Sequence, residues 1–347
     1  MLYGHTVAAL LAPQYQKGTW FELWVFQRGL TSCLFLLLSG FAFSIATSKH
    51  WAAHGSFSPA LLRRTRRFVL FIVLGYALHF PVERFADLRS VADDRWRSFL
   101  AVDVLQLIGV TFLIVQLLLL AVRSRTRFTY TVLALATAIV AVTPLMWAVD
   151  SAGAPMWLRA FLSPAIGSQF PLFPWAAYIL TGAALGQFYV TFGAHDLARY
   201  SHTTLMAPGA ALAFTAIATR LIDDAIWTAV PTQVALRMGA SLLVLALIAQ
   251  ASRRVQRLPH AFSAVAQETL LIYFVHLCIV YGSIWNSGLV QWFGATLPPI
   301  QLLPVVVLLI TAMAGLAGFW NAVKHTHPPA ARWVSIGVGG LLVYSLL

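Results

Sequence analysis

The sequence predicts an all-α integral membrane protein, a polytopic helix bundle with about eleven spans, and two observations carry this prediction. Of the 347 residues, 60% are hydrophobic and 10% are charged, whereas soluble domains have roughly 45–50% apolar and about 25% charged residues. The apolar residues also fall in long runs, and a helix needs about 20 of them to cross a bilayer. We therefore expect a multi-pass membrane protein that forms a single domain over residues 1–347.

Polar or Pro- and Gly-rich breaks separate the apolar runs and define the predicted spans. The first run ends at Pro13 and is too short to cross a bilayer, so we expect it to be the second half of an N-terminally truncated helix. The spans are predicted at 1–12, 22–47, 67–82, 99–122, 128–149, 171–192, 203–221, 232–251, 265–285, 300–321 and 332–347.

Positive charge assigns an orientation, because Lys and Arg near span ends stay in the cytoplasm. Alternate connections, beginning after the second span, hold fourteen of the 23 basic residues: Lys49, Arg63, Arg64, Arg66, Arg67, Arg123, Arg125, Arg127, Arg199, Arg253, Arg254, Arg257, Lys324 and Arg332. The other connections hold most of the acids: Glu83, Asp87, Asp93, Asp94, Asp150, Asp223 and Asp224. The segment 63–67 is therefore predicted inside and 83–98 outside. Membrane orientation explains the basic residues that give the net charge of +12. We therefore expect no nucleic-acid partner.

Four ionisable side chains lie within predicted spans, where they are costly and usually mark a function. They are His5, His79, Asp103 and His276, and the orientation places all four in the outer half of the membrane. A histidine exchanges a proton near neutral pH, and a neighbouring carboxylate can fix its tautomer. We predict catalytic roles for all four, with Arg28 able to join them. The structural alternative is a hydrogen bond across helices.

Two further segments favour ligand binding. Arg63, Arg64, Arg66 and Arg67 precede a span at the inner surface, where they anchor the helix and contact anionic lipid or bind the phosphates of a nucleotide-bearing donor. Both roles stay open. Pro171 and Pro174 interrupt the outer entrance of the sixth span, which predicts irregular backbone that lines a cavity. Gly182 and Gly186 follow at a small-xxx-small spacing, which is typical of close helix packing.

Several stretches in chain order resemble the transmembrane acyltransferase superfamily, particularly the branch of heparan-α-glucosaminide N-acetyltransferase and its bacterial relatives, with the type-3 acyltransferases as siblings. They are MLYGH at the start, RGLTSCLFLLLSGFAF at 28–43, LLRRTRRFVLFIVLGYALHF at 61–80, VLQLIGVTFLI at 104–114, PLFPWAAYILTGAALGQFY at 171–189 and ETLLIYFVHL at 268–277. Family members usually carry an Asp-x-x-Arg-Gly segment before the polar residue of the first span, which this sequence lacks.

The resemblance implies transfer of an acyl group, in the first instance acetyl from cytosolic acetyl-CoA, to an amine or hydroxyl of a sugar or glycan at the outer face of a bacterial-type inner membrane. By position, His5 is the polar catalytic residue of the first span. The implied donor site comprises Arg28, Ser39, Gly40, Arg63, Arg64, Arg66 and Arg67. The implied acceptor cavity comprises Pro171, Pro174, Trp175 and His276.

Several alternatives stay open at this level. We expect direct attack by the acceptor with His5 as base, and a transient acyl-histidine is the other mechanism. No metal is expected, since no HExxH motif and no clustered cysteines occur. A proton-coupled secondary transporter of a small polar solute is the main alternative function, and a non-catalytic scaffold is another. The expected partners are membrane lipid, acyl-CoA and a glycan acceptor; homodimerisation, acyl chain length and O- versus N-transfer stay open.

Overall fold

The computed structural model describes residues 1–149, 153–255 and 258–344. It is 82% helical and has no strand in those residues, which confirms the all-α class. Eighteen α-helices occur in this part of the chain: α1 (Leu2–Leu10), α2 (Thr19–Lys49), α3 (Trp51–His54), α4 (Pro59–Leu78), α5 (Asp93–Leu100), α6 (Val104–Val122), α7 (Arg125–Ala148), α8 (Met156–Leu162), α9 (Leu172–Phe188), α10 (Leu197–Tyr200), α11 (Ala207–Thr219), α12 (Asp224–Thr228), α13 (Val230–Ser252), α14 (His260–Gln267), α15 (Thr269–Tyr281), α16 (Leu289–Phe293), α17 (Pro299–Thr326) and α18 (Pro328–Tyr344).

Each of the eleven predicted spans contains helix, with ends that differ by several residues. The predicted ninth span is broken, because α14 and α15 meet at an angle of 76°. The seventh starts within a π-helical turn, Ser201–Met206, that leads into α11. The last three residues of the predicted eleventh span lie outside the described residues, as do Asp150 and Arg257, two charges used for the predicted orientation.

Five helices, α2, α6, α7, α13 and α17, are long and apolar enough to cross a membrane, and the bent pair of α14 and α15 gives a sixth candidate. The helices α1, α9, α11 and α18 are shorter, and α4 carries four arginines in its first half. The structure thus supports an integral membrane protein with five or six spans by length and composition. For the other predicted spans, the count of eleven stays a prediction.

The chain divides into two compact units. Unit 1 comprises Met1–Arg28, Ala77–Phe99 and the described residues of Gln256–Leu347, and unit 2 comprises Gly29–Tyr76 and Leu100–Val255. Both units are built from helices and contain residues that the sequence predicts to be functional. The prediction of a single domain over residues 1–347 stays a prediction.

In unit 1, the short helix α1 is buried against α15, α16 and α17. A cluster of buried apolar side chains surrounds it: Ala9, Leu10, Leu11, Val280, Leu302, Leu309 and Met313. Two backbone hydrogen bonds join the end of α1 to Leu297, from its amide to the Leu10 carbonyl oxygen (2.9 Å) and from the Ala12 amide to its carbonyl oxygen (3.0 Å). Packing therefore fixes α1 although it is short, and with it the position of His5.

In unit 2, helices α2 and α9 approach backbone to backbone. A Cβ atom added at Gly182 would overlap the carbonyl group of Leu37, and one added at Gly40 would overlap the carbonyl oxygen of Ile179. Small residues allow this approach in a membrane, where helices associate through close van der Waals packing. The predicted packing role of Gly182 and Gly186 therefore agrees with the structure.

Candidate active site

His5 lies in the middle of α1 and is half-buried. The hydroxyl oxygen of Tyr281, the last residue of α15, lies 3.3 Å from His5 Nδ1 and 3.4 Å from the His5 carbonyl oxygen. The two rings meet edge to face, with centroids 5.7 Å apart. One tyrosine hydroxyl thus contacts both the ring and the backbone of His5, which restricts the orientation of the imidazole.

His276 lies on α15 and is only 1% exposed. Its Nδ1 is 2.7 Å from the carbonyl oxygen of Ile272. Because a carbonyl oxygen only accepts hydrogen bonds, Nδ1 carries the proton, and in the neutral ring Nε2 is then an acceptor. That Nε2 is buried and has no hydrogen-bond partner among the described residues. His276 therefore holds a proton-accepting nitrogen that the fold itself does not use.

The structure brings His5 and His276 together from opposite ends of the chain. Their ring centroids are 5.3 Å apart at an interplanar angle of 55°. A buried polar atom without a partner costs about 1–3 kcal/mol, and such atoms in native structures call for a functional explanation. Two adjacent imidazoles can accept and return protons, which suits acyl transfer.

Arg28 packs beside the turn of α1 that carries His5. A Cβ atom added at Gly4 would lie 3.2 Å from Arg28 Cγ, so the arginine stem covers this glycine. The guanidinium carbon lies 5.2 Å from the ring centroid of Trp24. Arg28 therefore lies beside the helical turn that carries His5, and its roles in catalysis and in donor binding stay predictions.

Tyr281 is a residue of this site that the sequence reasoning missed. It follows His276 by five positions in YFVHLCIVY, and its contact is with a residue 276 positions away. A further hydrogen bond, from Gln291 Nε2 to the Tyr281 carbonyl oxygen (2.9 Å), holds the end of α15. Only the tertiary structure identifies such a contact, because Tyr near a span end is ordinarily read as an interfacial anchor.

Asp103 is the N-cap residue of α6. Its carboxylate accepts a hydrogen bond from the Val104 amide (2.7 Å), and its own amide donates to Gln106 Oε1 (3.3 Å), which completes a capping box. The helix amides thus provide hydrogen-bond partners for this carboxylate. The spacing Asp-x-x-Gln was the signal for this role, and a catalytic role for Asp103 stays a prediction.

His79 directly follows the last residue of α4 and belongs to unit 1. Its side chain is exposed, in contrast to the buried ring of His276. An exposed imidazole is not shielded from water, and such shielding is required for acyl transfer to an acceptor other than water. The catalytic role of His79 stays a prediction.

Within the run of arginines at 63–67, Arg64 is anchored to α2. Its Nη2 donates to the Phe43 carbonyl oxygen (3.1 Å) and to Thr47 Oγ1 (2.6 Å), and its guanidinium carbon lies 3.8 Å from the Phe43 ring centroid. The other three arginines of the run are exposed. Their forked donors are therefore available for phosphate.

The nearby His54 reflects the positive charge of this run in unit 2. Burial lowers the pKa of His54 below its ordinary value, and the positive charges of Arg64, His50 and Arg63 lower it further. A concentration of positive charge of this kind suits the phosphates of an acyl-CoA. For a metal ion, the described residues contain no group of three or more His, Cys, Asp or Glu side chains.

Ser39 and Gly40, the other predicted donor-site residues of unit 2, take part in helix packing. Ser39 Oγ donates to the Phe35 carbonyl oxygen within α2 (2.8 Å). The space beside Gly40 is filled by the backbone of α9. Packing alone accounts for both residues, and a role in the passage of the donor arm stays a prediction.

The predicted acceptor residues Pro171, Pro174 and Trp175 lie at the start of α9, where the backbone is irregular as expected. Phe173 has non-helical torsion angles inside the first turn, and its carbonyl oxygen accepts a hydrogen bond from Trp147 Nε1 (3.2 Å). Both prolines are buried and Trp175 is half-buried. Binding of an acceptor by these residues stays a prediction.

Comparison with known families adds to this geometry. The sequence matches the family described as "Heparan-alpha-glucosaminide N-acetyltransferase, catalytic" over residues 1–222. Neither a curated protein nor a solved structure gives a significant match. The matched range includes His5 and every other predicted site residue except His276, and it covers more than half of the 347 residues. The chain is therefore an integral membrane protein that belongs to the heparan-α-glucosaminide N-acetyltransferase family.

Proposed function

We propose that the protein transfers an acyl group, in the simplest case acetyl, from cytosolic acyl-CoA to an amine or hydroxyl of a sugar or glycan at the outer face. Membership of an acetyltransferase family supports the reaction class. The observation that carries the proposal is the histidine pair of unit 1, in which the buried His276 Nε2 lacks a partner among the described residues.

In the proposed reaction the acceptor nitrogen or oxygen attacks the thioester carbonyl carbon. The new C–N or C–O bond forms, the C–S bond breaks, and coenzyme A leaves as a thiolate. His276 Nε2 accepts the proton of the acceptor, and this proton passes through His5 to the departing thiolate. One proton leaves the acceptor and one reaches sulfur, so both imidazoles end the cycle as they began.

This assignment refines the expectation from the sequence, which placed the base at His5. The hydrogen bond to Ile272 fixes the His276 tautomer with Nε2 unprotonated, whereas His5 Nδ1 faces a hydroxyl that can donate or accept. Arg28, packed against Gly4, supplies positive charge that stabilises an oxyanion. The exposed arginines of 63–67 bind the coenzyme A phosphates.

Acyl transfer can be tested on the full chain in lipid nanodiscs with radiolabelled acetyl-CoA and a panel of amino sugars and oligosaccharides. We expect coenzyme A release that depends on the acceptor. His276→Ala should lower this rate by about 10²–10⁴-fold, the contribution typical of a general base. His325→Ala is the matched control, because His325 is an exposed histidine of the same unit.

Two outcomes would contradict the proposal. One is full turnover in His276→Ala at unchanged expression and monodispersity. The other is solute flux into proteoliposomes by a wild-type protein that shows no acyl turnover, which would favour the transporter. Incubation with labelled donor and no acceptor separates the mechanisms, because a label retained on protein indicates an acyl-histidine.

A further inference from the structure

Unit 2 contains an apolar cavity that the proposed reaction does not use. It lies among α7, α9, α11 and α13 and has a volume of about 640 Å³. Aliphatic and aromatic side chains such as Leu185, Leu212 and Met238 form most of its wall. The polar side chains among its described lining residues are Thr137, Thr181, Thr203 and Thr204. Apolar cavities of this kind do not retain water, which favours a hydrocarbon occupant.

The length of the cavity matches a lipid tail. Helix α9 lines it from Ala177 to Phe188, which corresponds to about 16 Å along the axis at 1.5 Å per residue. One leaflet of a bilayer has a hydrocarbon depth of about 15 Å, half of the ~30 Å core. The lining residues Ala141 and Thr203 are exposed, so the cavity opens at the surface of the unit and a tail can enter from the side.

Positive charge gathers at one end of the cavity. The guanidinium carbon of Arg199 lies 5.6 Å from the ring centroid of Phe192, a lining residue. The end of α13 lies here too, since Ser201 Oγ donates to the Ala246 carbonyl oxygen (3.2 Å). The titratable groups of the two segments 193–206 and 246–255 are His195, Asp196, Arg199, Tyr200, His202, Arg253 and Arg254.

Asp196, the one acid of these two segments, is already engaged. Its carboxylate accepts a hydrogen bond from the Arg199 amide (2.8 Å) and caps α10. The guanidinium of Arg199 is exposed and donates no hydrogen bond within the described part of the chain. Three arginines against one capped carboxylate therefore favour an anionic headgroup.

The same end of the cavity is flanked by two π-helical segments, Tyr189–Gly193 and Ser201–Met206. They contribute the lining residues Phe192, Thr203 and Thr204. The π-helix is rare and occurs frequently at functional sites, because the wider turn displaces side chains and backbone from the α-helical path. Two such segments at the same end of the cavity indicate that this opening is a specific feature of the fold of unit 2.

We propose that this cavity binds one tail of an anionic phospholipid, whose phosphate lies against Arg199 at the π-helical end. The apolar wall and the length of one leaflet favour a lipid tail, and the excess of arginine favours an anionic headgroup over a neutral one. The site is independent of the proposed acyl transfer, since its residues are distinct from the histidine pair.

Photolabelling can test the site on the full chain in nanodiscs. The probes are phosphatidylglycerol and phosphatidylcholine with the same diazirine-bearing tail, and labelled peptides are mapped by mass spectrometry. We expect phosphatidylglycerol to label residues 177–188 and 203–212 about fivefold more than phosphatidylcholine, from the attraction of one arginine. Unlabelled phosphatidylglycerol should compete with this labelling in a saturable manner.

Two variants with matched controls locate the ligand. Ala141→Trp places an indole at the exposed opening of the cavity and should remove most of the labelling, whereas Ala138→Trp, at an exposed position of α7 outside the lining, should leave it unchanged. Arg199→Gln should equalise the two lipids, whereas Arg127→Gln, an exposed arginine on α7, should preserve the difference.

Equal labelling by both lipids in the wild type would overturn the proposal, because it indicates ordinary annular lipid. Unchanged labelling in Ala141→Trp would overturn it as well. If that variant does not fold, competition on the wild type and the response of Arg199→Gln decide the matter. Loss of headgroup preference supports the site, and its persistence overturns it.

Discussion

His276 in unit 1 and Asp103 in unit 2 differ in how the fold uses their hydrogen-bonding capacity. The sequence gives the same reason to predict a catalytic role for each, namely an ionisable group in an apolar run. The Asp103 carboxylate accepts from the first turn of α6 in a capping box. His276 uses one ring nitrogen and keeps the other buried without a described partner. A buried nitrogen whose hydrogen-bonding capacity is unused, and not an ionisable group alone, therefore marks the better candidate for catalysis.

Arg64 of unit 2 is an intermediate case. Its Nη2 is committed to Phe43 and Thr47 of α2, whereas its Nη1 is buried and has no partner among the described residues. The exposed arginines beside it are free of such anchoring to α2 in the contacts described. The comparison therefore separates a positioned cation from cations that are available to a diffusing ligand.

The largest expected effect is on the histidine pair. His276→Gln retains a polar side chain of similar length but cannot carry a proton at neutral pH, so we expect kcat to fall by about 10²–10⁴-fold. Steady-state assay of acceptor-dependent coenzyme A release measures this, with His325→Gln as control. If His276→Gln retains wild-type kcat, the unused nitrogen has no role in proton transfer and the comparison with Asp103 fails.

Tyr281→Phe should have a smaller effect, since Tyr281 positions His5 and does not take part in bond making. Loss of one hydrogen bond of about 0.5–1.5 kcal/mol corresponds to a decrease of up to about tenfold in kcat. We expect donor KM to stay constant while the pH–rate profile shifts, because His5 loses a ring partner. A change in KM alone would assign Tyr281 to substrate binding instead.

Arg64 and Arg66 allow a matched test of anchored and available cations. Arg66→Gln should raise the KM for acetyl-CoA by up to about fivefold, the scale of one exposed ionic contact. Arg64→Lys should leave KM unchanged and lower the melting temperature, because an ammonium cannot reproduce the forked contact with α2. The opposite pattern, with KM raised only in Arg64→Lys, would place the donor phosphates at the anchored arginine.

The smallest effect on activity is expected at Asp103. Asp103→Asn preserves an N-cap and should retain near wild-type turnover, whereas Asp103→Ala should lower the free energy of unfolding by about 0.5–2 kcal/mol. Denaturation followed by circular dichroism, together with the transfer assay, separates these two quantities. A large loss of turnover in Asp103→Asn with normal stability would show that the carboxylate is catalytic.

Much of the fold was accessible from the sequence, because apolar runs, their breaks and the glycine spacing depend on local physical rules. Helix occurs in every predicted span, and the pattern at Gly182 and Gly186 predicts the close packing that the structure shows. The bend between α14 and α15 was not predicted. Glu268 lies at this bend, is buried and forms an ion pair with Lys324 (2.5 Å), a contact between residues far apart in sequence.

The candidate site was predictable only in part. The cost of ionisable groups in apolar runs identifies both His5 and His276 as candidates. Their pairing and the contact with Tyr281 could not be predicted, because they join residues far apart in sequence. For Asp103 the opposite holds, because its structural role as a helix cap was indicated by the local sequence pattern Asp-x-x-Gln. The cavity of unit 2 could not be predicted from the sequence, because its lining residues come from four α-helices and two π-helical segments.

The backbone contact at Gly40 and Gly182 bears on where unit 2 can move. Main-chain atoms in direct contact have no rotamers to exchange, so α2 and α9 should shift together as one body. Helices separated by side chains can slide or tilt by small rearrangements of those side chains. Helices α11 and α13 make the same kind of backbone contact at Gly209 and Gly239, so movement is expected between these two pairs of helices, and relaxation measurements on the methyl groups that line the cavity would detect it first.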